Sequence, residues 1–290
     1  TLDWTTYQVR ERAAIFIPTG VAPQEVRDCL NEELAQSLGP LNDLYRLPDS
    51  VFNDDNVQSI LTGFDMLMLR ATYAPELQPG MSRDAVAAAL PAVLAHLNPA
   101  GQRPGHPMPP TPRTFVDAIA DALGRQAAGG GRLQAAERAL AMADQWQDHR
   151  TGFALVTVGR LRPAGQHAEA WADFNRAAGL FDAEGLPLHR AGADLQLALM
   201  ALAAGDWQQA IARADQALPA ATAAQNATLM ADLMMVKATA LDRAGDSGAA
   251  ARVRLDSLGW ARYGMASDSD IRRRLQLIAE ISARKDAFPS

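Results

Sequence analysis

Residues 204–218 read AGDWQQAIARADQAL, and the reading of this stretch decides the fold of the C-terminal part of the chain. A glycine is followed five residues later by an alanine, and the residues after it keep helical spacing. The same phrase recurs as GGGRLQAAERAL at 129–140, AGQHAEAWADFNRAA at 164–178 and AGDSGAAARVRLDSL at 244–258. The pairs are Gly131 and Ala136, Gly165 and Ala170, Gly205 and Ala210, and Gly245 and Ala250. Each glycine can take the left-handed conformation that ends one helix and turns the chain into the next. Each alanine lets two antiparallel helices approach closely, while Leu and Phe bury against the neighbouring pair. The spacing predicts a mainly α chain with an α-solenoid of about four helix pairs over residues 114–290.

The rest of the chain divides by pattern. Residues 1–96 are mixed. Ala13-Ala14-Ile15-Phe16-Ile17-Pro18 reads as a short buried strand closed by the turn Pro18-Thr19-Gly20. A helix is predicted from near Pro23 to Gly39, with proline suited to its first turn. A second follows the capping box Thr62-Gly63-Phe64-Asp65 and ends before Pro75, and a third runs from Ser82 to about His96. Residues 97–113, LNPAGQRPGHPMPPTPR, hold six prolines and two glycines, which defines a linker.

Composition narrows the function classes. The 290 residues suffice for two domains, and 48% of them are hydrophobic. The net charge of −6 comes from 27 basic and 33 acidic residues, so no basic surface for nucleic acid is expected. Arg272-Arg273-Arg274 and the arginines of 125–162 read as solvated helix faces. The single cysteine, Cys29, cannot form a disulfide within the chain, and no thiolate zinc site can be assembled. No apolar run approaches the ~20 residues that span a bilayer. The chain starts at Thr1 without a charged or apolar leader, so it is expected to be processed, truncated or only partly present.

Three resemblances follow from these residues. The repeated unit resembles the second helix of a tetratricopeptide repeat over about 114–262, with glycine spacings of 34, 40 and 40 residues and a capping helix at 267–285. The stretch Glu32-Glu33-Leu34-Ala35-Gln36-Ser37-Leu38-Gly39 resembles the active-site helix of metzincin-type zinc proteases with the ligands exchanged. In that comparison Glu32, Gln36 and Asn42 fall where three histidines would hold the metal, and Glu33 falls on the general base. Ser50-Val51-Phe52 resembles the turn beneath the site, and Leu61 to Tyr73 the closing helix. The region is more similar to a family of bacterial exported proteins and lipoproteins of unknown function. The shared residues are Cys29, Glu32 to Gly39, Asn42-Asp43, Ser50 to Asp55 and Leu61 to Met81. That resemblance implies export.

Chemistry at the exchanged positions is weak. Zinc sites use imidazole or thiolate, and a catalytic site needs three protein ligands. Glu32 can ligate, but Gln36 and Asn42 offer neutral amide oxygens that suit harder ions. A hydrogen-bonded polar cluster in a former metal cavity is the simpler reading. His96, His106, His149, His167 and His189 never stand four apart, and surface or capping roles are expected for them. Gly129-Gly130-Gly131 reads as a helix–helix turn, since no Lys-Ser/Thr follows it. Trp171, Trp207 and Trp260 read as packing between repeats, an exposed one being a binding anchor; Met230, Met234 and Met235 read as packing too. Asn53-Asp54-Asp55-Asn56 lacks the spacing of a calcium loop and reads as a turn.

The expected whole is a degenerate metzincin-like α+β domain over 1–96, the linker 97–113, and a tetratricopeptide-like domain over 114–290. The expected function is non-catalytic: a scaffold or accessory subunit without cofactor, exported or periplasmic, with protein partners in an envelope or membrane complex. The alternatives are a metallopeptidase with a Glu/Gln/Asn site and a cytoplasmic regulator. If a groove binds the partner, repeat geometry places residues 187–203 and 225–240 along it.

Overall fold

The structure is a computed structural model, and it describes residues 9, 11–40, 44–53, 55–103, 108–124 and 129–283. The described residues are mainly helical, with twelve α-helices and no strand. Leu44 and Asn53 form an isolated parallel bridge. The chain forms two compact units: residues 28–109 with the N-terminal residues to Pro18, and residues 110–290 with Thr19–Arg27.

The helices α1 (Pro23–Leu38), α2 (Gly63–Thr72) and α3 (Arg83–Leu97) start where the local signals put them; all but the first five residues of α1 belong to the first unit. Thr62 caps α2 through the Asp65 N–H while the Asp65 side chain accepts from the Thr62 N–H, a complete capping box. Ser82 caps α3. The core is small: Ala35 with Val51 and Phe52, and separately Ala71 with Ala74 and Val93. The expected strand at Ala13–Ile17 is absent: the segment is irregular, and Phe16 is 87% exposed. A strand needs a neighbour for its N–H and C=O groups, and none of the described residues supplies one. The α+β character expected of residues 1–96 therefore does not appear among the described residues.

The second unit is an α-solenoid. Its helices are α4 (Arg113–Leu123), α5 (Gly129–Ala143), α6 (His149–Leu161), α7 (His167–Ala183), α8 (Pro187–Ala204), α9 (Trp207–Ala223), α10 (Ala227–Arg243), α11 (Ser247–Gly264) and α12 (Asp268–Ala283). Each helix from α4 to α11 packs on the next in the chain, giving four hairpins. Ala136, Ala170, Ala210 and Ala250 are all buried, as close helix approach requires. The largest core joins α8, α9, α10, α11 and α12 around Leu202, Leu233 and Met235.

The turns differ from the sequence reading in an instructive way. Only Gly205 and Gly245 of the four repeated glycines have positive φ, at 79° and 92°. Gly165 does not, and Gly131 lies inside the first turn of α5. The left-handed conformation appears instead also at Gly185, Gln225 and Gln147, between hairpins rather than within them. From Gly185 to Gly245 it returns every twenty residues, once per helix. Glycine serves a second purpose in α6, where a Cβ on Gly152 would stand 2.6 Å from the Phe181 ring and one on Gly159 2.7 Å from that of Phe174. The two rings of α7 thus lie directly on the α6 backbone.

Candidate functional site

The protease-like positions sit on α1. Glu32 and Gln36 are half-buried and one helical turn apart, so they share a face of α1, with Glu33 half-buried beside them. Asn42, the third position of the comparison, lies outside the described residues, as do His106 and Asp54. Among the described residues no three His, Cys, Asp or Glu side chains stand together as a metal site. Gly39 is needed for packing, since a Cβ there would meet the Thr72 methyl at 2.7 Å. The Tyr73 hydroxyl donates to the Leu38 carbonyl at 2.7 Å, fastening the ends of α1 and α2 together.

The most constrained polar group of this unit is Asp65, which is fully buried. The Ser50 hydroxyl donates to its Oδ1 at 2.5 Å. The Val51 and Thr62 N–H groups donate to its Oδ2 at 3.1 and 2.8 Å. Ser50 Oγ in turn accepts from the Phe52 N–H at 3.0 Å, and the Thr62 hydroxyl donates to the Asp49 carbonyl at 2.7 Å. One carboxylate therefore holds the turn 50–52 against the start of α2 and presents Val51 and Phe52 to Ala35 of α1. Asn53 and Asp55 also bond the neighbouring backbone through their side chains. Asn53 is buried, its Oδ1 accepts from the Leu47 N–H at 3.0 Å, and Asp55 accepts from the Val57 N–H at 3.1 Å.

In the solenoid, α12 packs against α8 and α10, two successive hairpins, more than against its chain neighbour α11. Arg274 Nε and Nη2 donate to Asp232 Oδ1 and Oδ2 at 2.6 and 2.7 Å, a two-pronged pair closing on a buried carboxylate of α10. Burial pushes the Asp232 carboxyl above its ordinary pKa, and Arg274 and Arg160 pull the other way without overcoming it. The face read from repeat geometry over 187–203 and 225–240 is thus the one under α12.

Further charges tie the hairpins. Asp194 on α8 is fully buried between Arg190 Nε at 2.7 Å and Arg213 Nη1 of α9 at 2.8 Å. Arg150 is 1% exposed, pairs with Asp148, donates to the Thr111 hydroxyl at 2.9 Å and stacks 4.0 Å from the Trp146 ring centroid. The arginines expected on solvated faces therefore include two, Arg150 and Arg274, bound to buried or nearly buried carboxylates. His149 and His189, for which surface or capping roles are expected, are buried in α6 and α8, His149 as the first residue of α6. Gln24, at the start of α1, carries no motif in the sequence yet is buried. It donates to Asn226 Oδ1 at 3.3 Å and accepts from the Thr228 N–H at 3.0 Å, within the second unit. Trp171 and Trp207 are packed into the core, whereas Trp260 on α11 is 41% exposed.

Comparison with known proteins reaches only the N-terminal part of the chain, residues 4–92. A DUF2927 domain, a protein family of unknown function, covers residues 4–92. No curated protein and no solved structure matches the chain. The match spans the residues from Cys29 to Met81 that carry the family resemblance. The described helices α1, α2 and most of α3 are therefore the helical content of the DUF2927 domain here, and the solenoid from residue 113 lies outside it.

Proposed function

We propose that the chain is a non-catalytic adaptor or accessory subunit that docks a protein partner on its tetratricopeptide-like solenoid. The observation that carries this reading is the stack of four helix hairpins, whose buried apolar side chains are mostly alanine and leucine and whose buried carboxylates pair with arginines. A solenoid of this kind offers extended helix faces and no reactive constellation. The first unit supports the same reading. Among its described residues the one fully buried carboxylate, Asp65, is engaged by Ser50, Val51 and Thr62, while Glu32 and Gln36 add a carboxylate and an amide where imidazoles would be needed. The packing of Val51 and Phe52 on Ala35 fits a turn lying beneath a former metzincin-like site helix. Export to the periplasm, in an envelope or membrane complex, is part of the proposal and rests on the family resemblance.

The test is affinity capture with the full chain from periplasmic and membrane fractions, read by mass spectrometry, beside metal analysis of protein purified without chelator. The expected result is a partner recovered in stoichiometric amount and no peptidase activity. Stoichiometric zinc together with proteolysis that disappears in Glu33→Gln would establish the metallopeptidase instead.

A further inference from the structure

The position of α12 is unlike that of a terminal helix that merely closes a solenoid. A closing helix covers the outer face of the last hairpin, because an end face left bare exposes apolar surface. Here α12 lies across α8 of the preceding hairpin as well as α10 of the last, and α11 keeps Leu255 72% exposed and Trp260 41% exposed. The contact is that of a ligand helix in a groove. Ile271 and Ile278 are buried, Leu275 and Ile281 pack on the same core, and Arg274 reaches Asp232 with both prongs. Apolar residues at i, i+4, i+7 and i+10 with an arginine at i+3 make an amphipathic helix with one charged anchor.

We propose that the α8–α10 face is a helix-binding groove, that α12 is its resident occupant in cis, and that the outside occupant is an amphipathic helix of the same pattern carrying an arginine for Asp232. The inference rests on the adaptor reading and names the partner chemistry of that site. Charge complementarity selects the occupant: a buried carboxylate on the groove floor rejects a helix with an acidic or apolar residue at that position. Exchange of α12 for the outside helix is part of the proposal. A buried ion pair gains little beyond the cost of desolvating it, so retention depends on a short aliphatic seam. Because α12 is tethered, an incoming helix must compete with a high effective concentration. The groove is therefore closed to weak helices and opened by one that matches better.

The experiment uses the purified full chain and a fluorescent peptide of residues 268–283. The peptide should bind Arg274→Asp about tenfold or more tighter than wild type, because that substitution drives α12 from the groove while leaving Asp232 in place. The charge swap Asp232→Arg with Arg274→Asp should reseat α12 and exclude the peptide again. Equal binding to wild type and Arg274→Asp, or none to a variant that melts like wild type, overturns the proposal. Hydrogen exchange on the wild-type chain decides the matter if the variant does not fold. α12 amides exchanging about tenfold faster than those of α8 and α10 support a displaceable helix, and equal protection overturns it. A capture experiment that recovers nothing sinks the adaptor reading and leaves this result standing, whereas a failed peptide sinks the groove alone.

Discussion

The Asp65 carboxylate takes hydrogen bonds from a hydroxyl and two backbone N–H groups in a place no water reaches. Half of that knot is legible in sequence, because the capping box Thr62–Asp65 spans three residues. The other half joins Ser50 to Asp65 across fifteen residues, and no local rule announces it. Ser50→Ala removes one donor and leaves the carboxylate short of a partner, so urea unfolding should show a loss of about 1–3 kcal/mol. Asp65→Ala should cost more, since the Val51 and Thr62 N–H groups then stay buried without an acceptor. Asp232 behaves differently. Its folded pKa is raised, so the folded state binds its proton more tightly than the unfolded one. The stability this brings is present below the ordinary carboxylate value, about 3.9, and is lost as pH rises through the folded value. Urea midpoints of wild type against Asp232→Asn, measured from about pH 3.5 to 7, should show wild type losing ground as pH rises. A difference that is flat or grows the other way would contradict the burial of this group. Arg274 thus contributes selectivity more than strength.

Helices were the readable elements. Pro23, Thr62 and Ser82 each mark a start that the structure keeps, and the glycine–alanine phrase places the repeated helices. The strand at 13–17 was not readable, because apolar residues in a row show preference for a sheet but not the presence of one. The turns between hairpins were hidden for another reason: glutamine at 147 and 225 adopts a conformation that sequence rules assign to glycine or asparagine. Buried His149, His189 and Arg150 were hidden because burial of a polar residue depends on tertiary partners. Within α6 the close ring contacts set up a contest of magnitudes. Gly159→Ala gains about 1 kcal/mol of helix propensity but forces the buried Phe174 ring off a 2.7 Å approach. Overpacking costs about 1–3 kcal/mol, so a net loss of about 1 kcal/mol is expected in thermal unfolding. Gln225→Gly should go the opposite way by a few tenths of a kcal/mol, since the residue already has φ of 53°.

Across the whole solenoid, stability passes from neighbour to neighbour. Arg150 ties the α5–α6 turn to the entry of α4 through Asp148, Thr111 and Trp146. Arg150→Ala leaves a nearly buried carboxylate alone, a loss of about 3–5 kcal/mol. Hydrogen exchange should show α4, α5 and α6 loosening while α10 and α12 keep their protection. Equal loosening from end to end would mean a single cooperative block rather than a ladder. The seat of α12 has a last consequence, for how such a molecule can change size. A repeat of forty residues, from one left-handed turn to its counterpart, can be duplicated wherever only adjacent hairpins must fit. A copy spliced between α9 and α10 would pull the two halves of the α12 seat apart and strand the terminal helix. Growth by duplication is therefore open on the side before α8 and shut on the side after it.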